Sequence, residues 1–340
     1  MKAKIFLLCC LAVAFCSCNV DFDPNTEWKE TTIVYSLLDQ DDDTTFVRVE
    51  KAFLGKGNYI EFAEVRDSIY YKEEDIDVKM YEAYTWDENF NTPSDTFQFI
   101  YTTAYQKQEG EFSNEESPIY YCVTRGRIRQ NRLYKLVVTN LKTGNIVSST
   151  TSPLATFNIL KPESNNFVFN GTKNNLKMDI EWNNKNNNSY GAMPKLFQPM
   201  IRFYYMENNV EKFIDVSFGK VVNQYSAGTS HKMTYTLTMQ SLLNALKTKL
   251  DNNQPKQWTN RTNPLELTIA ACDIAMYDYM NINRADENML TERPFYTNID
   301  NGVGLFASRR RGIKIVFDRY TSLDDFVNGL VGLNVGFTTK

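Results

Sequence analysis

Histidine is almost absent from this sequence, since His231 is the only one among 340 residues. One histidine without a cysteine partner excludes most zinc sites and most His-based catalytic triads. The GxSxG, HExxH and Walker motifs are also missing. Carboxylate chemistry is still open, because it requires only a pair of Asp or Glu side chains.

Cysteine is scarce beyond the N-terminal segment. Four of the six cysteines lie within the first 18 residues, and Cys122 and Cys272 are the other two. The chain has no CxxC pair, so we predict neither a metal site nor a cofactor. We place Cys122 and Cys272 in different domains and expect two separate buried thiols. A disulfide between them is the alternative.

The chain has no excess of positive charge. Its formal net charge is −4, so we do not expect it to bind nucleic acid. The basic run Arg309–Arg310–Arg311 is expected to be a solvated loop. The acidic run Asp39–Gln40–Asp41–Asp42–Asp43 lacks the spacing of an EF-hand, so we expect a solvated turn rather than a calcium site.

The N-terminal apolar run, from Ile5 to Phe15, is too short to cross a bilayer as a helix. Two lysines precede it, and the small residue Ser17 and then Cys18 follow it. A basic start, a short apolar middle and a small residue before the cut are typical of a secretory signal. We therefore predict a signal peptide over residues 1–17.

Cys18 after Ser17 resembles the bacterial lipobox, in which the cysteine becomes the lipidated first residue of the mature protein. The resemblance implies a lipid anchor on Cys18; Cys16 is the rival acceptor, although the bulky Phe15 just before it argues against that choice. The acidic, turn-rich composition after Cys18 predicts a tether over residues 18–32. Acidic Asp21 and Asp23 are similar to export signals that send lipoproteins to the cell surface. The periplasmic face is the alternative location.

The first half of the mature chain is predicted to be a β-sandwich. Strand-like alternation recurs at short intervals, for example at Tyr134, Leu136 and Val138, and a Gly144 turn follows that strand. This pattern indicates an immunoglobulin- or fibronectin-like sandwich over residues 33–156. Within it we expect one strand from Thr96 to Tyr105.

The second half is predicted to be a β-rich domain with helical insertions, over residues 157–340. Residues 157–175 are expected to be a connector. Helices are expected near 239–250 and 274–290, because apolar residues there recur at helical spacing. The fold class is therefore mainly β.

The most distinctive internal stretch runs from Phe295 to Arg309. Two glycines within three residues require a special backbone, and we interpret the stretch as a loop that fixes a last strand at 313–317. The run resembles the closing signature of a large family of Bacteroidota-type surface lipoproteins that carry a domain of unknown function. Its signature positions in this chain are Tyr296, Asn298, Asn301, Gly302, Gly304 and Phe306.

The resemblance implies a domain of unknown function, a lipid anchor in the outer membrane and a neighbouring TonB-dependent transporter, and it supplies no catalytic residues. Together with the lipobox and the sandwich pattern, it leads to the hypothesis of a non-enzymatic binding or accessory lipoprotein for nutrient uptake or surface-complex assembly. Its partner would be a TonB-dependent transporter and its ligand a glycan or a peptide. A fimbrial or adhesin subunit is the alternative, with residues 331–337 as a donated strand or a strand of its own sheet. A carboxylate glycosidase is the third hypothesis.

Overall fold

The computed structural model describes residues 31–52, 65–105, 117–172, 175–185, 190–225, 230–250, 254–259, 261–282, 296–311 and 314–338. The signal peptide, Cys18 and the tether lie outside the described residues. Strands make up 47% of the structure and helices 15%, which confirms the mainly β prediction.

Several strands, among them those over residues 31–38, 44–52, 76–84 and 132–140, alternate between buried and less buried residues, as expected for sheets with one face on a core. In chain order the strands are β1 Thr31–Leu38, β2 Thr44–Ala52, β3 Ile76–Tyr84, β4 Asp95–Gln98, β5 Ile100–Thr102, β6 Ile119–Val123, β7 Arg132–Asn140, β8 Ile146–Thr151, β9 Ile159–Lys161, β10 Lys177–Asn183, β11 Leu196–Glu207, β12 Val210–Ser217, β13 Val221–Val222, β14 Lys232–Thr238, β15 Lys256–Trp258, β16 Leu265–Cys272, β17 Val303–Arg310 and β18 Lys314–Val316.

The described residues also form four α-helices: α1 Arg66–Ile69, α2 Met239–Lys247, α3 Ile274–Ile282 and, after β18, α4 Leu323–Gly332. In α2 the apolar residues recur at helical spacing, and Met239, Leu242, Leu243 and Leu246 are buried. Both predicted helices are present, although α2 ends before residue 250. Residues 283–290 of the second prediction lie outside the described residues.

The first half forms a sandwich of two sheets. One sheet has the strand order β17-β1-β2-β6-β5 in this region, and the other has the order β4-β3-β7-β8. Their facing side chains form one core, to which β1, β3 and β7 contribute Val34, Val78 and Leu136, each at most 2% exposed. The sandwich is therefore built by period-2 alternation on both sheets.

The sandwich sheet is not completed by the first half alone. Strand β17 pairs with β1 in parallel, with Leu38 opposite Ser308, and it also pairs with β16. The sheet thus continues as β12-β11-β16-β17-β1-β2-β6-β5 and reaches 11 strands with β13, β15 and β18. The predicted boundary at residue 156 does not separate the sheets, because a strand from the second half lies inside the first.

The second half has its own apolar core. Strands β11, β12 and β16 pack against the three-stranded sheet β14-β10-β9 and against α2 and α4. The predicted connector contributes to this core, since Phe157 and Phe167 are fully buried. Interpreting residues 157–175 as a connector was therefore wrong, because its aromatic side chains fill space between the layers.

Two further predictions about strands were wrong. The expected strand from Thr96 to Tyr105 is divided, so that β4 pairs with β3 and β5 pairs with β6 in the opposite sheet. The buried residue Phe99 lies at the crossing. At the C-terminus, residues 323–332 form α4, so Val331 and Gly332 are helical rather than part of a strand.

Candidate functional site

The parallel pairing of β1 and β17 places two charged runs at the same edge of the sheet. The acidic run follows β1, and the basic run ends β17. Arg310 Nε lies 2.9 Å from Asp41 Oδ2, and an Arg309 guanidinium nitrogen lies 3.0 Å from Asp42 Oδ2. Asp39 is buried, and its burial raises the pKa of that carboxyl group. The acidic run forms the expected turn, in which Asp41 and Asp43 are exposed, but its carboxylates are paired with arginines. The expectation of a solvated loop was wrong for the basic run, because Arg309 and Arg310 belong to β17.

Polar contacts at this edge connect the two sheets of the sandwich. With its amide oriented so that the oxygen faces the donors, Gln40 accepts from Gln130 Nε2 at 2.8 Å and also from Arg310. The hydroxyl groups of Thr151 and Ser308 are 3.1 Å apart. We call this region the sandwich end; it comprises residues 39–43, 82–95, 124–132 and 309–311.

The sandwich end concentrates arginine. Seven of the chain's 14 arginines lie there, at positions 125, 127, 129, 132, 309, 310 and 311. Each contacts a carboxylate of the same region. Because exposed ion pairs contribute about 0–1 kcal/mol each, this network orders the loops more than it stabilises the fold.

Glu82 is a fully buried carboxylate of the sandwich end. Its carboxylate accepts hydrogen bonds from the Arg129 guanidinium at 2.6 Å, from Tyr134 Oη at 2.7 Å and from Ser94 Oγ at 2.7 Å. Arg132 Nε lies 3.3 Å from the same carboxylate. A buried carboxylate is tolerated only with such partners, so Glu82 fixes the loops that supply them.

Two aromatic side chains, Tyr84 and Trp86, pack on Arg132 of this buried network, and we call them the aromatic column. The Arg132 guanidinium lies 3.8 Å from the centroid of the Tyr84 ring. Tyr84 and Trp86 stack nearly in parallel, with 5.5 Å between ring centroids and 15° between planes. Trp86 is 74% exposed, so it projects from the surface rather than lining a cavity. The column therefore runs from the protein interior to solvent.

The loop that carries Trp86 is built around the buried residue Asp87. The Asp87 carboxylate accepts the backbone N–H groups of Asn91 and Thr92 at 3.0 and 2.9 Å, and its own N–H donates to Tyr84 O at 2.9 Å. The backbone hydrogen bonds, that of Thr92 first, hold the pKa of Asp87 below its usual range. Trp86 is thus presented by an ordered turn.

The six signature residues lie in one segment that leads into β17, to which Gly304 and Phe306 belong, and that contacts β1 and β8. The side-chain amide of Asn298 donates to Phe306 O at 2.7 Å and accepts from Phe306 N at 2.9 Å. Asn301 adopts a positive φ of 58° and donates to Ile146 O at 3.4 Å. Phe306 is fully buried in the sandwich core. These contacts give Asn298, Asn301 and Phe306 a structural role.

Gly304 shows why this segment requires glycine. Its φ is +125°, and an added Cβ would lie 2.0 Å from Val34 O on the neighbouring strand. At Gly302 a Cβ would lie 2.8 Å from Thr32 O. The special backbone belongs to β17 and its approach, so interpreting the whole stretch as a loop was wrong. Burial raises the pKa of the remaining signature residue, Tyr296, and nearby Asp278 raises it further.

Cys122 and Cys272 are both free and buried, which confirms the prediction of two separate thiols. Burial raises the pKa of Cys272 to about 12, so this thiol is neutral at physiological pH. Within the described ranges, no group of three His, Cys, Asp or Glu side chains is placed to hold a metal ion.

Two of the grooves that open on the described part of the second half have the room for a ligand. One, of about 730 Å³, lies between α2 and α4. The other, of about 510 Å³, lies beside β9 and β10, and its lining includes Glu163, Asp179, Lys161 and Lys177. Glu163 and Asp179 are a pair of acidic residues of the kind that a carboxylate glycosidase would need. The sandwich end differs from this groove because it presents an exposed aromatic surface.

Comparison with known proteins assigns no family to the chain: no protein-family model matches it, and no curated protein sequence matches it. Across the described residues, none of the helices has the length and apolar character needed to cross a membrane.

Sequence reasoning missed the aromatic column, although a signal for it exists. Tyr84 ends a strand and Trp86 follows two residues later, beside the turn-forming residue Asp87. A large aromatic residue in a polar turn has no sheet face on which to pack. The partner Arg132 has no such local signal, because β7 meets β3 only in the folded protein.

Proposed function

We propose that this protein is a non-enzymatic binding lipoprotein, anchored to the outer membrane through Cys18 and exposed at the cell surface. It would assist nutrient uptake or the assembly of a surface complex. The observation that carries the proposal is the ordered sandwich end, which presents an exposed aromatic column on a buried charge network. Such a surface is pre-organised, so binding costs little conformational entropy.

Two paired carboxylates of the second half, Glu181 and Asp215, are poor candidates for a general acid. Glu181 is bound by Lys232 and Lys161, whose hydrogen bonds lower the pKa of its carboxyl group. Arg202 lowers the pKa of Asp215 in the same way. A general acid in glycoside hydrolysis needs a raised pKa, so these carboxylates are poorly suited to that role.

The resemblance of residues 296–306 to the Bacteroidota-type surface lipoproteins extends the proposal to a partner. We propose a TonB-dependent transporter as that partner, and a glycan or a peptide as the ligand. We further propose an immunoglobulin- or fibronectin-like layout for residues 33–156. The antiparallel sheet β4-β3-β7-β8 supports that layout.

The anchor is tested by replacing Cys18 in the full-length chain. We expect Cys18→Ala to abolish incorporation of labelled palmitate and to release the protein from washed membranes. Cys16→Ala is the matched control, because Cys16 is the rival candidate for lipidation. The Cys16→Ala protein should remain on the membrane. A Cys18→Ala protein that still incorporates palmitate and sediments with membranes would contradict the anchor.

The partner is tested by purification from detergent-solubilised membranes through a tag after Lys340. A transporter recovered in stoichiometric amount would support the accessory role. Recovery of copies of the protein alone, with polymers visible by electron microscopy, would instead support the fimbrial alternative. The helical conformation of residues 331 and 332 weighs against a donated strand there.

The groove beside β9 and β10 is the observation that favours the glycosidase alternative. If it is catalytic, the protein should release reducing sugar from a glycan panel, and Glu163→Gln and Asp179→Asn should each reduce that release at least 100-fold. Equal release by wild type and both variants would exclude this groove as the active site.

A further inference from the structure

We propose that the aromatic column at the sandwich end is a carbohydrate-binding site, in which a pyranose ring of a polysaccharide stacks on the free face of Trp86. This inference rests on the proposed binding function and specifies its ligand. The site consists of Trp86, with Tyr84 and Arg132 as positioning residues behind it.

The exposure of Trp86 argues for a flat ligand. One face of the indole lies against Tyr84, at 5.5 Å between centroids, and 74% of the side chain is accessible to solvent. The outer face is therefore available to a second flat group. The face of a pyranose ring carries axial C–H groups that are attracted to the electron-rich face of an aromatic ring, as are other weak donors.

The column holds the indole in position before a ligand arrives. Glu82 is fully buried and lies 3.3 Å from Arg132 Nε, and the Arg132 guanidinium lies over the Tyr84 ring, 3.8 Å from its centroid. The cation attracts the ring on which Trp86 stacks. An aromatic side chain that is already ordered loses little rotamer freedom on binding, which favours affinity.

The residues around Trp86 favour a ligand rich in hydroxyl groups over a protein partner. The same loop carries the exposed side chains of Glu88, Asn89 and Asn91, and the half-exposed guanidinium of Arg129 belongs to the same end. The centre of a protein–protein interface is depleted of charged residues. Carboxylate, amide and guanidinium groups are suitable partners for the hydroxyl groups of a sugar.

A single stacking contact indicates a polymer rather than a free monosaccharide. One exposed indole contacts only one ring, so affinity for a monosaccharide should be low. A polysaccharide offers many equivalent rings near each site, and a membrane that carries many copies of the protein adds avidity. The ligand class is therefore a repeating polysaccharide.

The test uses the full-length protein purified in detergent and a panel of soluble glucans, mannans, xylans and galactans in affinity gel electrophoresis. We expect at least one polysaccharide to retard the wild-type protein and Trp86→Ala to weaken that retardation at least tenfold. Trp86→Phe keeps a ring and should bind within about threefold of wild type. Tyr190→Ala is the matched control, because Tyr190 is 70% exposed outside the sandwich end.

A fluorescence measurement separates stacking from an indirect effect. The difference in emission between wild type and Trp86→Phe reports on Trp86, and a bound polysaccharide should protect that emission from acrylamide quenching. Quenching that does not change while the gel shows binding would place the sugar elsewhere and overturn the proposal.

Two other results would also overturn it. One is that no polysaccharide in the panel retards the protein. The other is that Trp86→Ala loses a membrane protein partner while polysaccharide retardation stays at the wild-type level. Lipid anchoring is not needed in the gel assay, so a failure of the Cys18 prediction would leave the gel result unchanged. A failure of the anchor can therefore be distinguished from a failure of the carbohydrate site.

Discussion

Among the described residues, the core of the second half contains nine buried phenylalanines and Trp182, whereas the sandwich core contains three buried phenylalanines. Trp182 is fully buried, and its ring centroid lies 5.5 Å from that of Phe197. Trp86, in the sandwich half, has the same centroid distance to Tyr84 but is 74% exposed. Similar ring contacts therefore serve packing in one half and presentation to solvent in the other.

The two tryptophans differ in the side chains against which they pack. Trp182 packs among apolar side chains between two sheets, where burying its surface stabilises the fold. Trp86 stands on Tyr84, Arg132 and the buried charge of Glu82, at the end of a sandwich whose core is filled without it. Function should depend on Trp86 and stability on Trp182.

The largest effect is expected at Gly304, where the two halves share a sheet. In Gly304→Ala the new Cβ would clash with Val34 O and the φ of +125° would be strained, so β1 and β17 must separate. We expect a loss of roughly 4–5 kcal/mol or more in the free energy of unfolding, measured by chemical denaturation.

Gly126→Ala is the control for the backbone strain alone. Its φ is +66°, and a Cβ there has no atom within 4 Å, so the cost should be about 1–2 kcal/mol. Equal losses in the two variants would show that the close approach of β1 and β17 is not important for stability.

The next largest effect is expected for Trp182→Ala. Removing a fully buried indole leaves a cavity in the second core and should cost about 3–5 kcal/mol. Trp86→Ala, compared in the same denaturation experiment, should change stability by about 0.5 kcal/mol or less. A large stability loss in Trp86→Ala would remove the distinction between the two tryptophans.

The smallest effect is expected for Glu181→Gln, and it should appear in how the stability of the fold depends on pH. The lysine hydrogen bonds lower the pKa of Glu181 below its ordinary value of 4.5, so its ion pairs stabilise the fold above that pH. That stabilisation disappears as the pH falls through the lowered pKa. Because both lysines are about half exposed, it should amount to about 1 kcal/mol.

The expected signature is a melting temperature that falls less steeply for Glu181→Gln than for wild type between about pH 5 and pH 3. Asp67→Asn is the control, because the Asp67 carboxylate is 72% exposed. This variant should leave the fall of the melting temperature at acid pH unchanged. Parallel curves for wild type and Glu181→Gln would contradict a stabilising role for the lysine pairs.

Local patterns predicted much of the fold. Alternation located β1 and β7, and helical spacing located α2, because in each case one face of a single element is buried. The division of residues 96–105 between two sheets had no such signal. Phe99 is apolar and buried whether the strand continues or crosses, so its neighbours decide the outcome.

The candidate site was less predictable than the fold, because its contacts join residues that are distant in sequence. Asp42 and Arg309 are paired although 267 residues separate them, and only the parallel pairing of β1 with β17 brings them together. Each run taken alone is typical of a solvated loop. Trp86, by contrast, could have been selected from its place in a polar turn.

The position of β17 also sets an order of events during synthesis. Strand β1 begins at residue 31, but its parallel partner begins at residue 303. Until residues 303–310 have been made, β1 has an open edge and the sandwich lacks the buried side chain of Phe306. Long-range pairing of this kind forms slowly, and an open strand edge invites pairing with other chains. The nascent chain therefore stays incomplete until its C-terminal region emerges, and this late completion favours a chaperone that covers β1 in the meantime.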